Sequence, residues 1–133
     1  MHLESPNSLI KRPRKEVYEF LTDLGNFEKL MPDSIETFEV LDENTFRFAL
    51  KGMPEIVLRR KEQIPHEKII LGAASDKLPF TLTANLIENG PEETEAILSF
   101  QGEFNAMMAM MIKGPISNFL GALSQKLGDP ETF

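Results

Sequence analysis

Four of the chain's seven methionines, Met107, Met108, Met110 and Met111, fall within five residues. Flexible, polarizable thioether side chains suit apolar surfaces that adapt to varied ligands, and they serve equally well to fill irregular gaps in a core. At helical spacing Met107 and Met110 do not share the face of Met108 and Met111. Met108 and Met111 are therefore expected to face an interior ligand site, with the other pair near a rim. Arg60 and Glu62 form a second unusual pair. Continuing the alternation of Ile56 and Leu58 turns both inward, where a charge is costly unless paired. They could pair with each other at i, i+2, orient a ligand carboxylate or carbonyl, or emerge at the strand's end through a bulge that flips the faces. The exposed-strand composition of Arg59-Arg60-Lys61-Glu62 favours the last.

The residue inventory excludes most other chemistry. With no cysteine in the chain, disulfide frameworks, thiolate catalysis and cysteine-based zinc sites are ruled out. The two histidines, His2 near the terminus and His66 beside Pro65 in a turn, lack a third partner at ligand spacing. Tyr18 lies off the apolar stripe of its helix, and Asp23 and Asp76 sit at element ends, so no acid–base pair forms. There is no Ser-His-Asp order, no glycine-rich phosphate loop and no HExxH. The expectation is no catalytic residue, no metal and no cofactor.

A chain of 133 residues makes a single domain, residues 1–133, able to bury roughly two-thirds of the surface its unfolded form exposes. Its 41% hydrophobic and 26% charged residues are an ordinary globular balance. A net charge of -7 opposes general attraction to nucleic acid or anionic lipid. The clusters Lys11/Arg12/Arg14/Lys15 and Arg59/Arg60/Lys61 qualify this only locally. The N-terminal residues lack a basic-then-apolar secretory layout, and the apolar run Ala106 to Ile112 is too short to span a bilayer. A cytoplasmic protein without a membrane span or nucleic-acid partner is expected, as a monomer or homodimer.

Placing these side chains requires the elements. Residues 1 to 10 could form a first strand, broken or at an edge because of Pro6. Val17, Phe20, Leu21 and Leu24 recur at i, i+3, i+4, i+7 behind Pro13, which predicts a helix ending at Gly25. Asn26 can cap a short second helix carrying Phe27, Leu30 and Met31, stopped by Pro32. Period-two alternation then predicts strands over Ile35–Leu41, Thr45–Leu50, Glu55–Ile64, Lys68–Ser75, Phe80–Glu88 and Thr94–Phe104. Turn signals separate them, among them Gly52-Met53-Pro54 and Ser75 to Pro79. One-sided alternation marks an antiparallel sheet with one wet face. Asn105 to Leu127 returns to helical spacing, with Asn105 as cap and a kink or break near Ile112 expected from Gly114-Pro115. One long helix cannot cover so many strands unless the sheet curves around it.

The segment Val17-Tyr18-Glu19-Phe20-Leu21-Thr22-Asp23-Leu24-Gly25-Asn26-Phe27-Glu28-Lys29-Leu30-Met31-Pro32 resembles the opening helices of the SRPBCC superfamily. That superfamily includes START-related, polyketide cyclase-like and Bet v 1-like proteins. The stretch Phe104 to Leu120 is similar to the closing helix of its small bacterial members, departing at Ala106, where relatives often carry proline. The resemblance implies an α+β helix-grip fold, a curved six- to seven-stranded antiparallel sheet wrapped around the C-terminal helix, with two short helices after the first strand. It also implies a hydrophobic small molecule or lipid in an internal apolar cavity, bound without catalysis. A polyketide cyclase or dehydratase and a protein-interaction or dimerisation module are the alternatives. The lining expected is Phe46, Phe48, Leu58, Arg60, Phe80, Leu82, Phe100, Phe104, Met108, Met111 and Ile112. Small residues at Gly72, Ala74, Ala84, Ala96 and Gly102 would leave the space, and ligand pockets of this kind run to roughly 300–1,000 Å³.

Overall fold

Pro6 has no N–H to give to a ladder, and it divides the first strand into β1 (His2–Glu4) and β2 (Ser8–Ile10). Both pieces pair with the same partner, β8 (Thr94–Gly102). Ser5 spans the break, its N–H reaching Leu98 O at 2.8 Å while its Oγ accepts from Leu98 N at 3.0 Å. The computed structural model describes residues 1–33, 35–51, 55–74, 80–129 and 132. The turns expected at Gly52–Pro54 and Ser75–Pro79, and Asp76 with them, lie outside these residues.

Between β2 and the rest of the sheet come α1 (Arg14–Thr22), a 3-10 turn at Leu24–Asn26 and α2 (Phe27–Leu30). Asn26 does not cap α2 with its side chain. It is already helical, and its Nδ2 donates to Phe20 O at 2.9 Å. Asp23 caps the 3-10 turn before it, its Oδ1 accepting from Gly25 N at 3.1 Å.

The meander then runs β3 (Ile35–Asp42), β4 (Thr45–Leu50), β5 (Ile56–Ile64), β6 (Lys68–Ala73), β7 (Phe80–Glu88) and β8. All pairs are antiparallel, in the order β1-β8-β7-β6-β5-β4-β3 with β2 also on β8, so the split first strand brings the sheet to eight. The inner face carries Phe46, Phe48, Leu58, Ile69, Leu71, Leu82, Ala84, Leu98 and Phe100, all buried. At the free edge, β3 shows register shifts at Ile35/Thr37 and Val40/Asp42 and exposes Glu36 and Glu39, features that blunt an edge against pairing with another chain.

The last element, α3 (Ala106–Leu127), fills the inner face. It runs through Pro115 without the expected break. The carbonyl that loses its donor belongs to Met111, which lies on the solvent side, where water can replace the lost bond. By length and composition α3 would suffice to cross a bilayer, which the short run of unbroken apolar residues did not suggest. In this fold its C-terminal half is a core element. Ile116, Phe119, Leu120, Leu123 and Leu127 are buried, and the hydroxyl of Ser8 donates to Ser124 O at 2.8 Å. The architecture is the helix-grip α+β arrangement.

Candidate functional site

The two halves of α3 meet different surroundings. Asn105 caps the helix, its Oδ1 accepting from Met108 N at 2.8 Å. From Ala106 to Met111 no residue is buried. Met107, Met110 and Met111 are 75%, 82% and 66% exposed. They stand at i, i+3, i+4 and so share one face. Leaving such a side chain in water forgoes roughly 1.5–3 kcal/mol relative to full burial. Met108 and Ile112, also i, i+4, turn the other way: Met108 is half-buried against the core and Ile112 is buried within it. Met111 thus does not line the interior as expected. It sides with Met107, one turn earlier, and not with Met108.

Beside this stretch in sequence lies an aromatic group built by strand register. Phe80 stands opposite Gly102, and Leu82 opposite Phe100. Phe100 lies 5.1 Å from Phe80 and 6.1 Å from Phe104, ring centre to ring centre. Phe104 folds back over Gly102, where a Cβ would come within 2.6 Å of its ring and 2.8 Å of Phe80 Cβ. Phe80 and Phe104 remain half-buried at the edge of the core.

The other expected lining residues form solid core. Phe46 contacts Phe27, Phe38 and Phe48 at 5.2, 5.4 and 5.9 Å, and Phe48 stacks on Phe119 of α3 at 5.1 Å. Leu58 and Leu82 are buried in the same cluster. Between Leu21, Phe27 and Leu30 on one side and Leu71, Ala84 and Leu123 on the other, an apolar void of about 10 Å³ remains. That is room for about one water and for no ligand. The small residues do not enlarge it: aromatic rings cover Gly102, and Gly72 faces outward, where a Cβ would lie 2.7 Å from Lys61 Cε.

Arg60 and Glu62 part company at a register shift in β5. Glu62 is exposed. Arg60 stays half-buried at the end of α1, its NH2 donating to Thr22 O at 2.5 Å and Glu43 O at 3.2 Å, and its NH1 to Gln63 Oε1 at 3.1 Å. It caps the helix and ties it to the β3–β4 turn, and its charge does not enter the interior. An open cleft of about 330 Å³ adjoins it, bordered by Gly25, Val40, Asp42 and Asn44. The Asn44 N–H holds the Asp42 carboxyl below the usual carboxylate range, and the hydrogen bond from Lys11 does the same for Glu93. A second, shallower depression of about 810 Å³ crosses the outer sheet face over Ile87, Ile97 and Ser99.

Tyr18 is buried, edge-on to the His66 ring at 5.5 Å. Its hydroxyl has no hydrogen-bond partner among the described residues. His66 itself adopts a left-handed φ of 66°. No three acidic or histidine side chains among the described residues gather at metal-binding distance.

No family model matches the chain, and no curated protein matches it in sequence. Solved structures do match it in shape. Norcoclaurine synthase from Thalictrum flavum, in a point mutant with a transition-state analogue, superposes with a TM-score of 0.71 at 9% identity, over 96% of this chain and 93% of that one. A START superfamily protein from Mycobacterium smegmatis gives 0.69 at 9% identity, over 96% and 94%. The Zhui aromatase/cyclase from Streptomyces sp. R1128 gives 0.67 at 15% identity, over 95% and 93%. Identities this low carry the fold and not the chemistry; by its fold, this chain is similar to the SRPBCC class of helix-grip proteins.

Proposed function

We propose that the protein binds a hydrophobic small molecule or lipid, without catalysing a reaction on it. The site lies beneath the N-terminal half of α3, against Phe80, Phe100 and Phe104. The observation that carries this reading is the asymmetry of α3: Met107, Met110 and Met111 are exposed, while the C-terminal half is anchored by five buried apolar residues and the Phe48–Phe119 stack. One end of the helix is held, and the other rests on the core through Met108 and Ile112. Met108 is a flexible methionine half-buried against the core, as Phe80 and Phe104 are, and such a side chain can repack around ligands of different shape. With about 10 Å³ free inside, a ligand enters only if this end of α3 lifts. Lifting it brings Phe104 and Met108 into the lining beside Phe100.

A reaction would require polar groups converging on that space. Arg60 is committed to backbone carbonyls, Glu62 is exposed, and Tyr18 lies against His66. These placements favour binding over the cyclase reading. Native mass spectrometry of the purified protein, with organic extraction, should recover an apolar molecule. Titration with a fluorescent fatty acid should saturate at one site, and Phe104→Ala should weaken that binding severalfold. A folded protein that neither carries an apolar molecule nor takes up the fatty acid refutes the proposal.

A further inference from the structure

A proline inside a helix withholds the N–H that the carbonyl four residues earlier would accept, and its ring presses against that carbonyl. It also disfavours the helical conformation of the residue before it, through that residue's N–H and Cβ. In α3 the proline is Pro115, the carbonyl is that of Met111, and the preceding residue is Gly114. Glycine has no Cβ to clash, so the helix runs on. It also holds the helical conformation less firmly than any other residue except proline. A Cβ at Gly114 would meet nothing within 4 Å, so no close neighbour requires the glycine. Two weak links of the helix therefore stand side by side.

The same point divides α3 by burial. From Ala106 to Met111 no residue is buried, and this half rests on the core through Met108 and Ile112. Ile116, one turn beyond Ile112, begins the anchored half that continues through Phe119, Leu120, Leu123 and Leu127. Gly114 and Pro115 lie between the two. We infer that Gly114-Pro115 is a hinge on which residues 106–112 lift as a lid over the apolar site, so that the stiffness of these two residues sets how readily a ligand is taken up. The inference rests on the binding function proposed above and adds its moving part. Two turns lifted from the core do not hold themselves helical, since isolated helices below ~12–15 residues are marginal in water. Lifting therefore opens the amides of residues 109–112 to exchange, with or without a ligand.

The test compares the full chain with three variants, by amide hydrogen exchange and by titration with a fluorescent fatty acid. In the parent, amides 109–112 should exchange at least about tenfold faster than amides 119–123 of the anchored half, as local opening requires. Gly114→Ala sets a methyl in open space and stiffens the hinge. Exchange at 109–112 should slow about fivefold, in line with the helix preference of alanine over glycine. Probe affinity should fall by the same factor, because a ligand that binds only the lifted form binds in proportion to its population. Pro115→Ala returns a donor to Met111 O and should act in the same direction. Gly121→Ala, whose added methyl also meets nothing within 4 Å, stiffens the anchored half and should leave both readouts at the parent values. Four results would overturn the hinge while leaving the binding function intact: equal protection along α3 in the parent, unchanged exchange in both hinge variants, the same slowing in Gly121→Ala, or slowed exchange with unchanged probe affinity. A parent that shows the expected exchange pattern but takes up no apolar molecule would overturn the binding function, and with it the role of the hinge in uptake.

Discussion

Replacing Arg60 with alanine separates a structural arginine from a ligand-orienting one. The side chain donates to Thr22 O, Glu43 O and Gln63 Oε1. It thereby joins the end of α1, the β3–β4 turn and β5. Hydrogen bonds from a charged donor contribute roughly 1.5–3 kcal/mol each when shielded. The guanidinium is only half-buried, and water can take over part of what is lost. The net cost of Arg60→Ala is then about 2 kcal/mol, which for a domain of this size lowers the melting temperature by roughly 8 °C. Arg60→Lys should cost about 1 kcal/mol, because a single ammonium nitrogen cannot reproduce the planar fork whose NH2 holds the Thr22 and Glu43 carbonyls while NH1 holds Gln63 Oε1. Circular dichroism melting gives the stability, and fatty-acid titration below the transition gives the binding, which should stay at the parent value in both variants. An alanine variant that melts like the parent but has lost the probe would refute the reasoning and place the Arg60 charge on the ligand.

Three further substitutions or conditions test the packing. Tyr18→Phe removes a buried hydroxyl without a described partner while keeping the ring against His66; since such a group costs about 1–3 kcal/mol, the variant should melt at or above the parent temperature. Gly102→Ala sets a methyl 2.6 Å from the Phe104 ring, and overpacking of this kind costs about 1–3 kcal/mol, read as a lower denaturation midpoint in urea. Asp42 and Glu93 titrate below the ordinary carboxylate range because of Asn44 N–H and Lys11 respectively. Their stabilisation is therefore complete above the unfolded-state pKa and is lost as pH falls through the lower folded-state values. Carboxyl NMR titration should give midpoints on the acid side of free aspartate and glutamate.

How much of this was legible in the sequence depended on whether local pattern or tertiary packing decided the outcome. The strands from Thr45 to Gly102 were readable because period-two alternation is a direct record of one buried face. The break at Pro6 was readable because a missing N–H is a local fact. The Asn105 cap belongs to the same class. Asn26 was expected to cap α2, but the 3-10 turn capped by Asp23 already holds Asn26 in helical conformation and leaves α2 without a side-chain cap. The faces of Arg60 and Glu62 hung on one inserted residue in β5, and the exposed-strand composition of Arg59-Arg60-Lys61-Glu62 already favoured such a bulge, which the register shift shows. The cavity was the least legible feature. Counting small residues suggested space, but which side chain fills the space over a glycine is a matter of long-range packing. Phe104 closes over Gly102 from the next element, and Lys61 covers Gly72 from the neighbouring strand.

A packed interior and a binding function conflict only if the sheet and helix form one rigid unit. Phe46 and its neighbours Phe27, Phe48 and Phe119 are buried and, with half-buried Phe38, join α2, β3, β4 and α3, so separating them would expose several aromatic side chains at about 2–3 kcal/mol each. The first turns of α3 present a different balance. Swinging them outward exposes Met108 and Ile112 together with the buried ring of Phe100, a cost of several kcal/mol, within the range of free energies at which local segments open in native proteins. An apolar ligand that covers those two residues together with Phe100 and Phe104 returns that amount. Affinity then reports the difference between ligand contact and lost helix contact. Substitutions that loosen the N-terminal half of α3 should strengthen uptake, whereas those that bury its methionines should weaken it, and neither should disturb the Phe48–Phe119 anchor on which the proposed movement pivots.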